Sequence, residues 1–81
     1  MITAAQLKAA RALLGIDQRT LAETADLSLP TIQRMEGSDG PIRGNIDSLV
    51  KLIAALEAAG VALISEGVVS EGGGRGVRLK S

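Results

Sequence analysis

The sequence predicts a mainly α fold: a small domain of four to five helices, closed by a short C-terminal β-hairpin or pair of strands. Three observations predict it. Apolar residues recur at helical spacing in four stretches between Thr3 and Ala59. Each stretch opens on a residue able to cap a helix, namely Thr3, Asp17, Ser28 and Asn45. After Gly60 the pattern changes to short β-like runs at 61–64 and 77–79, with five of the ten glycines between them.

The elements follow in order. Thr3 and Gln6 have the spacing of a capping box, and Leu7, Ala10 and Leu14 form the apolar stripe behind it. Gly15 stands where a helix ends in a left-handed residue. Asp17 can cap a short second helix carrying Leu21, Ala22 and Ala25. Asp26 falls at the next turn, and Asp tolerates the left-handed conformation better than most residues. Ser28 can cap a third helix with Pro30 in its first turn, where a missing N–H costs nothing. Ile32 and Met35 are its buried side, and the run Gly37-Ser38-Asp39-Gly40-Pro41 is a loop. The fourth helix runs from Asn45 to about Ala59. At about 100° per residue, Leu52, Leu56, Leu49, Ile53, Ile46 and Val50 span roughly 160° of its circumference. One packing surface needs only about 100°. Two readings account for the excess: a second copy of the chain, or a helix wedged centrally in its own domain. The two strands are too short to stand alone, so they pack on helices, pair with another subunit or fray.

Composition removes whole classes of function. The chain has no histidine, no cysteine and no aromatic residue. Zinc chemistry, thiol nucleophiles and disulfides lose their usual side chains, and base stacking on aromatic platforms is disfavoured. No metal and no cofactor is expected, and no set of nucleophile, base and orienting group supports an enzyme. At 46% apolar residues, with twelve alanines, the chain has the composition of a folded domain. Its longest apolar stretch, residues 52–64, is broken by Glu57 and falls short of the roughly 20 residues a membrane span needs. No signal peptide is evident, so a cytoplasmic protein is expected. The glycines of the tail lack the Gly-x-x-x-x-Gly-Lys pattern of a phosphate loop and read as a flexible connector.

Helix, tight turn, helix is the helix-turn-helix arrangement. The residues from Gln18 to Gly37, QRTLAETADLSLPTIQRMEG, resemble the phage-repressor/Cro-type helix-turn-helix family, also called XRE. The shared features are Gln opening the second helix, Leu-Ala within it, an apolar residue and Ser after the turn, Ile four residues on, and the apolar-Glu-x-Gly type of ending. Upstream, Arg11, Leu13, Leu14, Gly15, Ile16 and Gln18 also fit. The specific match covers roughly residues 3–37, with a looser likeness in the Ala-Leu-Glu-Ala-Ala-Gly segment and the Gly-rich tail. Asp26 replaces the family's usual turn Gly, and Ile16 stands where many relatives have an aromatic. Leu29 and Pro30 stand where relatives place polar base-reading side chains, so no operator preference carries over.

The resemblance implies a repressor-like helix-turn-helix DNA-binding domain over residues 1–60, with residues 61–81 as a packing or dimerisation extension. It implies a sequence-specific transcriptional regulator, a repressor or autoregulator, that binds double-stranded DNA as a homodimer on a near-palindromic operator. In this architecture the third helix enters the major groove and the second crosses the backbone. The expected DNA-binding residues are Gln18, Arg19, Ser28, Leu29, Pro30, Thr31, Gln33, Arg34, Arg43 and Asn45. Gln33 suits adenine and Arg34 guanine, Leu29 can meet a thymine methyl, and Arg19 and Arg43 suit phosphate. Arg11 and Glu36 resemble the pair that relatives use to tie the first helix to the third. For dimerisation the candidates are Val50, Leu52, Ala55, Leu56, Ala59, Leu63, Val77 and Leu79, through the fourth helix, the strands or both.

Charge opposes this reading. Nine Lys and Arg are matched by nine Asp and Glu, so bulk attraction to phosphate is weak. That motivates a second reading: a protein-interaction module, antitoxin-like or anti-activator, that keeps the fold, binds a cognate protein partner and binds DNA weakly or not at all.

Overall fold

A computed structural model of the chain describes residues 2–64 and 76–80. Among the described residues, four helices and two strands follow one another: α1 (Ala4–Leu14), α2 (Gln18–Ala25), α3 (Leu29–Glu36), α4 (Ile46–Ala58), β1 (Val61–Ile64) and β2 (Gly76–Leu79). The fold is mainly α, with one two-stranded antiparallel sheet near the C-terminus. Of the five glycines expected to form the tail connector, Gly67, Gly72, Gly73 and Gly74 lie outside the described residues, while Gly76 instead opens β2, paired with Ile64.

Local chemistry sets the helix starts. The first turn of a helix leaves backbone N–H groups without partners, and a short polar side chain at the N-cap satisfies one of them. Thr3 Oγ1 accepts from Gln6 N at 3.1 Å while Gln6 Oε1 accepts from Thr3 N at 2.9 Å, completing the capping box. Asp17 accepts from Thr20 N at 2.8 Å, Ser28 from Thr31 N at 3.2 Å and Asn45 from Ser48 N at 2.8 Å. α1 ends at Gly15 and α2 at Asp26, both left-handed with φ of 67° and 57°. Asp26 is the one non-glycine residue with positive φ among the described residues, and it makes the turn between α2 and α3.

One core joins all the helices. Leu7 and Ala10 of α1, Leu21 of α2, Ile32 and Met35 of α3, Leu52 and Leu56 of α4 and Val61 of β1 are buried together. Each large aliphatic side chain so buried contributes about 1.5–3 kcal/mol. Two further members come from outside the helices. Ile2 and Ile42 are buried because the segment before α1 pairs with the segment before α4: Ile42 N donates to Ile2 O at 3.0 Å and Ala4 N to Gly40 O at 2.9 Å. The loop expected at 37–41 is present, and Pro41 in it forms a bridge with Thr3.

The hairpin packs on α1 and α4. Its register sets Val61 opposite Leu79 and Ile64 opposite Gly76. Buried Gln6 secures it: Nε2 donates to Ile64 O and to Gly76 O, each at 3.0 Å. Gln6 therefore caps α1 with one end of its amide and holds both strands with the other.

Three dimer candidates need correction. Leu52 and Leu56 are fully buried and Ala55 is 9% exposed, all in the chain's own core. The reason is geometric: α4 packs on α2 on one side and β1 on another, so a single helix serves two internal surfaces. Those three residues cannot reach a second copy. Val50 and Ala59 are exposed, as is Leu79, while Leu63 and Val77 are half-buried against the core. Among the described residues no helix is long and apolar enough to cross a membrane.

Candidate nucleic-acid interface

The candidate surface is built on α3. Ile32, Met35 and Glu36 face inward and are buried. Helical periodicity then places Pro30, Gln33 and Arg34 outward, and all three are exposed. Leu29 and Thr31 flank this stripe and are half-buried. The inward residues fix the helix, and the outward ones are left to meet something outside the chain.

Three helices are tied together at Glu36, a carboxylate whose side chain is 5% exposed. Arg11 Nε donates to Glu36 Oε2 at 2.8 Å and Arg11 NH2 to Oε1 at 3.1 Å, a bidentate pair. Arg11 NH1 donates to Ile16 O at 3.2 Å, so the same side chain also holds the turn between α1 and α2. The pairing raises the Arg11 pKa, first through the hydrogen bond to Glu36. Arg11 and Glu36, expected as a structural pair linking α1 to α3, make that link.

Gln18 joins the same group. Its Nε2 donates to Glu36 Oε1 at 3.2 Å. Only the amide nitrogen can face a carboxylate, so the orientation of the amide is fixed. One amide hydrogen and the oxygen remain for an external ligand. No sequence pattern signals this bond, because the partners are eighteen residues apart and share no helical register.

Local bonds also engage several of the other expected residues. Ser28 Oγ is the α3 cap and lies 2.7 Å from Thr31 Oγ1, so the two hydroxyls bond each other. Asn45 Oδ1 caps α4, leaving its amide nitrogen free of that bond. The stretch carrying Arg43 and Asn45 lies against α3: a Cβ on Gly44 would stand 3.4 Å from Met35 Cε. Arg19, Arg34, Arg43 and Asn45 are exposed. Among the described residues the ion pairs are Arg11–Glu36 and Lys51–Asp26, and neither engages Arg19, Arg34 or Arg43.

The arrangement thus offers a helix with a rigid back, an outward Gln and Arg at adjacent positions, an amide at the start of α2 and three exposed arginines from three segments. Asp17, beside this surface, has its pKa lowered, first by the hydrogen bond from Thr20 N. Chemically the surface can donate to phosphates and read hydrogen-bonding edges. In comparisons with known proteins, no family model and no curated protein matches this chain.

Proposed function

We propose that this chain is a sequence-specific double-stranded DNA-binding transcriptional regulator. It acts as a repressor or autoregulator in the cytoplasm, without catalysis, and binds a near-palindromic operator as a homodimer. One observation carries the reading: the outward stripe Pro30, Gln33 and Arg34 on a helix whose opposite face is locked by Ile32, Met35 and the Arg11–Glu36 pair. A reading helix must be held rigidly while its other side chains stay free, and this arrangement favours both. In the major groove, Arg34 suits the O6 and N7 of guanine and Gln33 the N6 and N7 of adenine. Gln18, Arg19, Arg43 and Asn45 suit the phosphates on either side and would set register.

A gel shift with the duplex upstream of the chain's own coding sequence tests this at about 50 and 200 mM salt. Wild type is expected to prefer that duplex to a scrambled one, and the double variant Gln33→Ala with Arg34→Ala to lose the preference while keeping its helical circular dichroism.

The protein-interaction reading is favoured by two observations: the net charge of zero, and Leu29 with Pro30 at the start of the stripe. It predicts no preference between the two duplexes even at the lower salt.

A further inference from the structure

The outer face of α4 carries an unusual apolar stripe. Ile46 is 73% exposed and Val50 56%, the two most exposed large hydrophobic side chains among the described residues. They lie one turn apart on the same face, and helical periodicity continues the stripe through exposed Ala54, with half-buried Ile53 at its edge and Glu57 at its C-terminal end. Asp47 and Lys51, themselves one turn apart, flank it.

We propose that a second copy of this chain covers this stripe, its α4 antiparallel to the first and the two-fold axis passing beside Val50. The proposal rests on the reading of the protein as a homodimeric DNA-binding protein and names the surface that reading leaves open. The charges select the occupant and the direction. Asp47 and Lys51 flank the stripe on one side, so a parallel two-fold pair would set them on opposite sides of the seam with no partner charge across it, and the two Glu57 carboxylates would meet within the apolar seam. Antiparallel pairing about Val50 separates the two Glu57 carboxylates and brings the charged flanks of the two copies to the same side of the seam. Asp47 of one copy then lies about 3 Å along the axis from Lys51 of the other, and the two Glu57 residues stand roughly 21 Å apart, at about 1.5 Å of rise per residue. Ile46 falls opposite the small Ala54 at each end of the seam, and Val50 meets its own copy at the centre. The stripe therefore complements itself in both shape and charge under one two-fold axis, as a closed dimer requires. Lys51 is free to take part, because its bond to Asp26 is 3.6 Å long between exposed groups and holds it weakly.

The chain has no cysteine, which makes single-cysteine cross-linking clean. Val50→Cys, Glu57→Cys and Leu79→Cys are each oxidised with glutathione disulfide at low micromolar concentration without DNA. The proposal expects Val50→Cys to give a covalent dimer at least tenfold faster than the other two. Faster cross-linking at Leu79→Cys or Glu57→Cys, or none at Val50→Cys, overturns it. Sedimentation adds a second arm. Asp47→Lys should weaken the dimer several-fold and Asp47→Lys combined with Lys51→Asp should restore it; a double variant as weak as the single one contradicts the antiparallel pairing. Neither arm uses DNA, so a failed interface and a failed DNA-binding reading give separate results.

Discussion

At the scale of single residues, one carboxylate organises the candidate surface. Glu36 is buried, and a buried charge persists only when it is paired and hydrogen-bonded. Arg11 supplies two bonds and Gln18 a third. Removing Arg11 leaves the carboxylate without its counter-charge. Arg11→Ala is therefore expected to cost roughly 3 kcal/mol, the low end for breaking a buried pair because Arg11 is itself partly exposed. Urea unfolding followed by circular dichroism measures this. Gln18→Ala leaves the charge pair standing and is expected to cost only about 1 kcal/mol. Asp17 gives a pH dependence. Its pKa is lowered in the folded state by the bond from Thr20 N. A lowered carboxylate pKa means stability that is present above the unfolded value, about 3.9, and is lost as the pH falls through the folded value. Asp17→Asn keeps a capping oxygen but cannot titrate. Melting curves should show the gap between wild type and Asp17→Asn closing as the pH drops below about 4. Arg43, exposed and outside the described ion pairs, is assigned to phosphate. Arg43→Ala should weaken binding to all duplexes alike and reduce the salt slope by about 1.

At the scale of elements, the turn between α2 and α3 decides how α3 is presented. Asp26 turns the chain with φ of 57°, a conformation that excludes β-branched residues most strongly. Asp26→Val should destabilise the fold by about 1–2 kcal/mol, while Asp26→Gly should be close to neutral, as thermal denaturation would show. The helix boundaries are legible in the sequence because their causes are local. Thr3, Asp17, Ser28 and Asn45 act on backbone groups within three residues, and the stops at Gly15 and Asp26 follow from their own dihedral preferences. What depends on distant partners is not legible. Gln6 is readable as half of a capping box, but its bonds to Ile64 and Gly76 span 58 and 70 residues. Ile2 and Ile42 belong to no helix, so periodicity is silent about them. The width of the α4 apolar arc can be read from periodicity, yet a helical wheel does not say which sector meets which neighbour. Leu52 and Leu56 turn inward and Ile46 and Val50 outward. On α3 the outward position of Gln33 and Arg34 follows from the same periodicity that buries Ile32 and Met35. The tether of Gln18 to Glu36 does not, since it depends on how two helices cross.

At the scale of the whole molecule, the DNA binding proposed for this chain has to coexist with a net charge of zero. Without a basic excess, non-specific affinity is weak and most of the discrimination falls to a few base contacts, each good bidentate pair worth about 1–3 kcal/mol. Two half-sites then supply together what one cannot, which is why the dimer is part of the functional reading. A two-fold dimer with one reading helix per copy predicts inverted half-sites about 34 Å apart, one turn of the duplex. Selection of bound duplexes from a random pool tests this with no operator chosen in advance. The expected result is enrichment of an inverted repeat with that spacing, abolished in parallel selections with the Gln33→Ala, Arg34→Ala variant. A pool that stays random after repeated rounds with the folded wild-type protein, or an enriched motif that the variant selects equally well, would contradict sequence-specific binding through α3.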